Sequence, residues 1–449
     1  MPPDAPTLAP SPAPPMSEAP APIAGRAGRR LSNLAEALVG SEILKIAAEI
    51  RAMREAGASI GNLTVGDFDP GEFRIPRQLA EGIAAALAAG ETNYPPSTGL
   101  PSLRQAVAAF YARELGLRFP ADSVLVTGGS RPGIYAAYRT LVDPGDRVVY
   151  PVPSWNNNHY VHLSSAHGVA VPCRPEDAFL PTRALLEPVI GGARLLALCS
   201  PLNPAGTAFS ADALRGICDM VLEENARREQ SGERPLYVLY DQVYWTLTFG
   251  DTVHHTPVGL RPAMAPYTIF VDGISKALAA TGVRVGWVTG PADVVRRMGE
   301  MTGHVGAWAP RAEQVATAAF LADAGAVAGY RSAIVRGVRE RLDALYAGIT
   351  AMRDEGLPVD AVAPMGAIYL SARFALNGCR TADGETLRTN EDVRHYLLRR
   401  AGVAVVPFQA FGTSDDDGWF RLSVGAISGA EIAKLLPRLR EAVEAACSM

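Results

Sequence analysis

The chain carries only three lysines, Lys45, Lys276 and Lys434, among its 42 basic residues. Lys45 and Lys434 lie in helix-patterned stretches, residues 43–56 and 430–446. Lys276 differs. It follows an apolar run, residues 267–271, that reads as a buried strand, and it precedes another, residues 283–288. The exits of parallel strands are where such folds place functional groups. Arginine stays protonated, whereas a desolvated lysine can lose its proton and attack a carbonyl. A chain that avoids lysine and keeps one at a strand exit has a use for an amine there. The structural alternative is a surface lysine capping a loop.

Other strand exits carry polar groups of their own. Gly128-Gly129-Ser130, between a strand at 123–127 and a helix, offers backbone N–H groups and a hydroxyl suited to a phosphate. Ser275 and Arg284 can add a hydroxyl and a guanidinium to the same anion. Asp241 ends a fully apolar strand and needs a positive partner, which a protonated pyridine nitrogen would supply; it is also a good helix N-cap type. Asn203 precedes a proline, in position either for an Asx turn or for a hydrogen bond to a phenolic oxygen. Tyr244 comes three residues after Asp241, one turn on if a helix follows. Trp155 presents a flat face for a planar ring, or a core side chain. Taken together these groups describe a pyridine bearing a phosphate, a phenolate and an aldehyde bonded to Lys276. That is pyridoxal phosphate, an electron sink beside an amine.

The elements that position these groups alternate. From residue 123 to about 290 the pattern is strand, loop, helix, which predicts an α/β fold with a mainly parallel sheet covered by helices. Residues 1–30 are rich in proline and alanine and read as a disordered tail without the apolar core of a secretory signal. Helical patterning begins near residue 31 and continues through residue 50. Residues 31–79 are assigned to a segment that completes a smaller α+β domain, residues 80–325 to the large domain, and residues 326–449 to the small domain.

Composition excludes several classes. With 48% hydrophobic and 20% charged residues over 449 positions, the chain is ordinary globular protein. A net charge of −4 argues against a nucleic-acid footprint, and no apolar run is long enough for a membrane. The seven histidines show no metal spacing, and His254-His255 reads as a solvated loop pair. Five cysteines without a CxxC pair fit free thiols in the cytoplasm.

Several motifs, in order, resemble those of the class I/II aminotransferases of PLP fold type I, over residues 43–432. Ser275-Lys276, Ala279, Thr281-Gly282 and Arg284-Val285-Gly286 are similar to S-K-x-x-A-x-T-G-x-R-x-G. Ser200-Pro201-Leu202-Asn203-Pro204-Ala205-Gly206 resembles S-P-x-N-P-T-G, with Ala205 for threonine. Asp241-Gln242-Val243-Tyr244 resembles D-E-x-Y, with Gln242 for the acid. Asn93-Tyr94-Pro95-Pro96 through Pro101, Pro153-Ser154-Trp155, residues 366–370 and residues 420–423 complete the set; Pro153-Ser154-Trp155 points to the aspartate aminotransferase branch.

The resemblance implies an aminotransferase that moves an amino group between an α-amino acid and a 2-oxo acid, working as a homodimer. A lyase or synthase of the same fold type is the alternative, and a DNA-binding sensor is disfavoured because no helix-turn-helix pattern precedes the fold. It further implies that Lys276 is the Schiff-base lysine and proton shuttle. Asp241 pairs with the pyridine nitrogen, Asn203 and Tyr244 bind the ring oxygen, and Trp155 stacks on the ring. Gly129, Ser130, Arg131, Ser275 and Arg284 hold the phosphate, Arg131 through its backbone, and Tyr94 reaches the phosphate of a neighbouring subunit. Arg421 clamps the substrate α-carboxylate with help from the backbone of Gly66, in a pocket that Asn203 and Trp155 also line. Two departures bear on the site. Phe408 and Gln409 stand where many relatives have glycine and serine, and bulk at Phe408 is expected to narrow the substrate side. Gly273 stands where some relatives carry a phosphate-binding serine. A dicarboxylic substrate would need a second cation, for which Arg311 and His304 are candidates by position.

Overall fold

Unbroken apolar runs along the strands decide the architecture. In the computed structural model, which describes residues 31–381 and 383–447, seven strands form one sheet. They are β1 (Val124–Thr127), β2 (Arg147–Val152), β3 (His167–Pro172), β4 (Ala193–Cys199), β5 (Tyr237–Asp241), β6 (Thr268–Gly273) and β7 (Gly286–Thr289). The spatial order is β1-β7-β6-β5-β4-β2-β3. Only β7 runs against its neighbours; the other pairings are parallel. Alternate residues feed opposite faces, as a period of two requires. Val149, Leu196, Val238, Tyr240 and Phe270 pack into one core, and Val148, Leu195, Leu239, Ile269 and Val271 into another across the sheet. Burial on both faces explains why these strands read as unbroken apolar runs. The helix Asn157–Leu163 and strand β3 had no clear apolar period in the sequence, and β3 is half exposed at the sheet edge.

A second, antiparallel sheet holds β8 (Val359–Ala361), β9 (Tyr369–Phe374), β10 (Val406–Pro407) and β11 (Trp419–Ser423), in the order β10-β11-β9-β8. The long helix Ala324–Asp354 and the C-terminal helix Gly429–Cys447 share its apolar core. Residues 61–69 are stitched to this region. Gly61–Asn62 pairs in parallel with Val403–Ala404, Ser423 donates its N–H to the Leu63 carbonyl at 2.7 Å, and Asp69 does the same to Gly425 at 2.9 Å.

The expected continuous helix from residue 31 through residue 50 is two helices. The unit ending at Leu38 holds one turn, Asn33–Glu36, N-capped by the Ser32 hydroxyl. The following unit begins with Glu42–Glu55. Gly40, costly inside a helix, lies in the break. The Pro/Ala-rich tail lies outside the described residues. Among the described residues, no helix is long and apolar enough to cross a membrane, and no cluster of His, Cys, Asp or Glu could hold a metal ion.

Candidate active site

The parallel strands end at one edge of the large sheet, and their exit loops enclose a cavity of about 560 Å³. Leu239 and Asp241 share a face of β5 and both line it. Ser130, Arg131, Trp155, Asn203, Tyr244, Ser275, Lys276, Arg284, Gly66 and Arg421 line it as well. Contributions from β9 (Tyr369), from β11 (Arg421) and from residues 64–67 close the cavity on the side of the smaller sheet.

Lys276 lies on the one-turn helix Ile274–Ala277 directly after β6. Its Nζ donates to the Gly66 carbonyl at 2.5 Å and sits 5.9 Å from the Tyr244 ring centroid. Burial brings its pKa down to about 8; Arg421, Arg131 and Arg284 add to the shift and Asp67 opposes it. The amine is thus largely protonated at neutral pH but far easier to deprotonate than a free lysine.

Asp241 has no cation bonded to it among the described residues. Its Oδ1 accepts from the Val243 N–H at 3.1 Å, and burial pushes its carboxyl up to about 6 against that bond and the Lys276 charge. No helix follows. Residues 243–246 are turns, so Asp241 is not a helix cap, and the one-helical-turn relation to Tyr244 is replaced by a loop. The buried Tyr244 hydroxyl bonds the Tyr369 hydroxyl at 2.6 Å.

The anion cradle rests on close backbone contacts. Gly129 N-caps the helix Ser130–Leu141 at φ +89°, a conformation that L side chains rarely adopt. A Cβ there would come within 2.2 Å of Arg284. Arg284, itself at φ +61°, donates to the Thr281 carbonyl at 2.7 Å and the Gly128 carbonyl at 2.9 Å. Its guanidinium therefore lies against the N-terminus of that helix, where N–H groups and helix dipole favour an anion. Gly273 has no room for the serine of some relatives, since a Cβ would meet Gly286 Cα at 2.7 Å.

Arg421 is 1% exposed and makes no ion pair among the described residues. Nη1 donates to Asn203 Oδ1 at 3.1 Å, Nη2 to the Thr64 carbonyl at 2.6 Å, and Nε has no partner. The guanidinium lies between the rings of Tyr369 and Phe411, 4.7 and 4.8 Å from their centroids. A buried cation held only by neutral acceptors and rings is set up for an anion from outside the chain. Arg131 places its guanidinium 5.3 Å from the Trp155 ring centroid, likewise without an ion pair among the described residues.

Tyr94 is not brought to the cavity. It is 82% exposed, edge-on to Trp308. Arg311 pairs with Glu91, His304 is exposed near the end of the helix Ala292–Val305, and neither lines the cavity. Phe408 does not narrow the substrate side. It is buried against Phe179 and Trp419, behind Phe411. His254 is not a solvated loop residue: burial takes its pKa down to about 3, and Nε2 meets Gln242 Oε1 at 3.2 Å. Sequence reasoning missed Asp67, which accepts from the Thr281 hydroxyl at 2.5 Å, and Tyr369, the partner of Tyr244. Tyr369 sat inside a quoted stretch and Asp67 beside Gly66, but no local pattern marks a residue whose partner is more than a hundred positions away.

The residues fit pyridoxal phosphate: an amine, an unpaired carboxylate, an anion cradle that tolerates no Cβ at Gly129, and an unpaired buried guanidinium share one cavity. Residues 59–439 match the family of class I and II aminotransferases, and the chain belongs to that family. It is a pyridoxal-phosphate-dependent aminotransferase of fold type I, acting on amino acids and 2-oxo acids. It is 31% identical to an aspartate aminotransferase of Rhizobium meliloti (strain 1021) over 90% of this chain and 94% of that protein. The crystal structure of an aspartate aminotransferase from Rhizobium meliloti superposes with a TM-score of 0.84 at 29% identity, over 93% of this chain and all of that one. The aspartate aminotransferase of Thermus thermophilus with maleate gives 0.81 at 27% identity, over 92% of this chain and 100% of that one.

Proposed function

We propose that this aminotransferase takes a dicarboxylic amino acid, aspartate or glutamate, as donor, with Lys276, Asp241 and Arg421 as its working groups. The observation that carries the assignment is the buried Arg421 guanidinium, unpaired at Nε and facing the same cavity as Lys276. Two of its five N–H groups are engaged, which leaves a fork for an α-carboxylate.

Pyridoxal phosphate, when bound, supplies an aldehyde that bonds amines and a ring that draws electrons from the substrate Cα. The Gly129 and Ser130 amides, the Ser130 and Ser275 hydroxyls, the Arg131 backbone and the Arg284 guanidinium would hold the phosphate. Asp241 would pair with the ring nitrogen, and that positive charge would offset the burial that raises its carboxyl. Asn203 spends Oδ1 on Arg421, so Nδ2 is free to donate to the ring oxygen beside Tyr244. Trp155, which lines the cavity, would stack on the ring. Arg421 and the Gly66 backbone fix the α-carboxylate, which aims the Cα–H bond at Lys276. Lys276 would be the amine that bonds the aldehyde, and its Nζ would serve as the base and acid that moves the Cα proton. Its depressed pKa makes the neutral amine accessible near pH 8.

Arg131 is the cation placed for the second carboxylate, since Arg311 and His304 lie elsewhere. The relatives named above, one of them solved with maleate, support a dicarboxylic substrate. The exposed Tyr94 ring supports a homodimer in which it completes the neighbouring phosphate site. Unpaired thiols at Cys173, Cys199, Cys218 and Cys379 support a cytoplasmic setting. A screen of amino donors against 2-oxoglutarate and oxaloacetate tests the substrate class. Aspartate or glutamate should lead, and Arg131→Gln should lower kcat/KM for them by about tenfold while sparing alanine. Equal losses for alanine and aspartate would refute the role of Arg131.

A further inference from the structure

On the face of the large sheet opposite the cavity lies a buried polar cluster that the reaction does not use directly. Its centre is Asp272 on β6, 1% exposed. Oδ2 accepts from the Tyr111 hydroxyl at 2.9 Å and from Trp245 Nε1 at 2.8 Å, and Oδ1 accepts from the Gly273 N–H at 2.7 Å. Tyr111 lies on the helix Pro101–Leu115 and is fully buried. Its oxygen accepts from Gln242 Nε2 at 3.2 Å and Trp287 Nε1 at 3.0 Å. With two N–H groups already aimed at that oxygen, the hydroxyl hydrogen is directed to Asp272. Every neighbour of the carboxylate is then a donor, and no basic side chain pairs with it among the described residues. An amide there would turn an NH₂ group against a donor.

The four N–H donors to Asp272 and Tyr111 each lie close in sequence to a working part of the site. Gln242 follows Asp241, and Trp245 follows Tyr244. Gly273 opens the turn that carries Ser275 and Lys276. Trp287 follows Gly286, whose Cα faces the Gly129–Ser130 peptide so closely that a Cβ would come within 2.5 Å. Three separate segments, the exit loop of β5, the turn after β6 and the start of β7, thus share one anchor behind the sheet. A hydrogen-bond network whose members are all satisfied fixes geometry more rigidly than apolar packing, because any slip leaves a buried donor unpaired.

We propose that Asp272, through Tyr111, Trp245 and the Gly273 N–H, is a positioning residue that holds Lys276, Asp241, Tyr244 and the phosphate cradle in register for the cofactor ring. This rests on the assignment of those residues to the cofactor. Asp272 touches neither cofactor nor substrate. It sets the angle and depth at which the exit loops present their groups, and such alignment errors cost rate rather than binding.

The test uses the full-length holoenzyme and three variants: Tyr111→Phe, Asp272→Asn and, as a milder change, Trp245→Phe. Borohydride reduction followed by peptide mapping first establishes in the parent enzyme that the cofactor is bonded to Lys276. An adduct elsewhere overturns the cofactor assignment itself and is distinguishable from failure of the present proposal. With the adduct on Lys276, single-turnover rates are taken per bound cofactor, together with visible circular dichroism of the cofactor band, which reports ring orientation. The expected result is a saturating rate lower by about tenfold to a hundredfold, an amino-acid KM within about threefold of the parent, and weaker cofactor ellipticity. Trp245→Phe, which leaves Tyr111 in place, should fall between parent and Tyr111→Phe. Variants with a lowered melting temperature but parental rate per bound cofactor and parental ellipticity would overturn the proposal, leaving the cluster a stabilising feature alone. Should Asp272→Asn fail to fold, Tyr111→Phe and Trp245→Phe decide by the same criteria.

Discussion

Asp241 and Arg421 share a condition that defines their chemistry: each is a buried ionisable group whose counter-charge must come from outside the chain. For Asp241 this gives a pH signature in the cofactor-free protein. Its pKa is raised from 3.8 to about 6, so between those values the folded chain binds more protons than the unfolded one. Stability contributed by this group is therefore lost as pH rises from about 4 to 6. Asp241→Asn should remove that component, so the difference in melting temperature between variant and parent, both cofactor-free, should grow in favour of the variant across this window. A flat difference would mean that the carboxyl is not raised. In the holoenzyme the same substitution should lower turnover by orders of magnitude. For Arg421 the test is substrate choice. Arg421→Lys cannot reproduce the guanidinium fork, so kcat/KM should fall about hundredfold for every amino acid while amines without a carboxylate lose little. An equal loss for both substrate types would show that Arg421 does not grip the carboxylate.

At the scale of elements, the cradle depends on three segments approaching within backbone contact: the turn after β1, the turn after β6 and the start of β7. Gly286→Ala would push a Cβ to within 2.5 Å of both Gly129 C and Ser130 N, neither of which can yield without moving the helix Ser130–Leu141. The expected cost is about 1–3 kcal/mol of stability, with weakened pyridoxal phosphate affinity measured by dialysis and reconstitution. Gly191→Ala, at an ordinary negative φ with no atom within 4 Å, is a control for conformational cost alone. The strands themselves were legible because apolar runs bounded by glycine and proline are local signals. The one-turn helix before residue 41, the short helix Asn157–Leu163 and edge strand β3 were not, because their periodicity is broken or half exposed.

For the whole molecule, Tyr94 is the residue to follow. An 82% exposed tyrosine against Trp308 has no part in the cavity of its own chain. If a second copy brings it to the phosphate, Tyr94→Phe should raise cofactor dissociation by about tenfold while sedimentation still gives a dimer. A monomer in the parent protein, or unchanged cofactor affinity in the variant, would exclude that arrangement.

What the sequence determined by itself was the order of strand exits and the kind of polar group at each. Lysine scarcity singled out Lys276, and Gly128-Gly129, Asn203-Pro204 and Asp241 were marked by local turn chemistry or by the ends of apolar runs. Tertiary structure alone decided which groups meet. Arg421 bonds Asn203 across 218 positions, Lys276 bonds Gly66 across 210, and Asp272 bonds Tyr111 across 161. It also moved Phe408 out of the cavity and Gln242 to the far face. For the residues on strands, Asp272 and Arg421, the reason is the two-residue period of a strand. Which face a side chain joins is set by register against neighbouring strands, and a slip of one residue would exchange the cavity for the core.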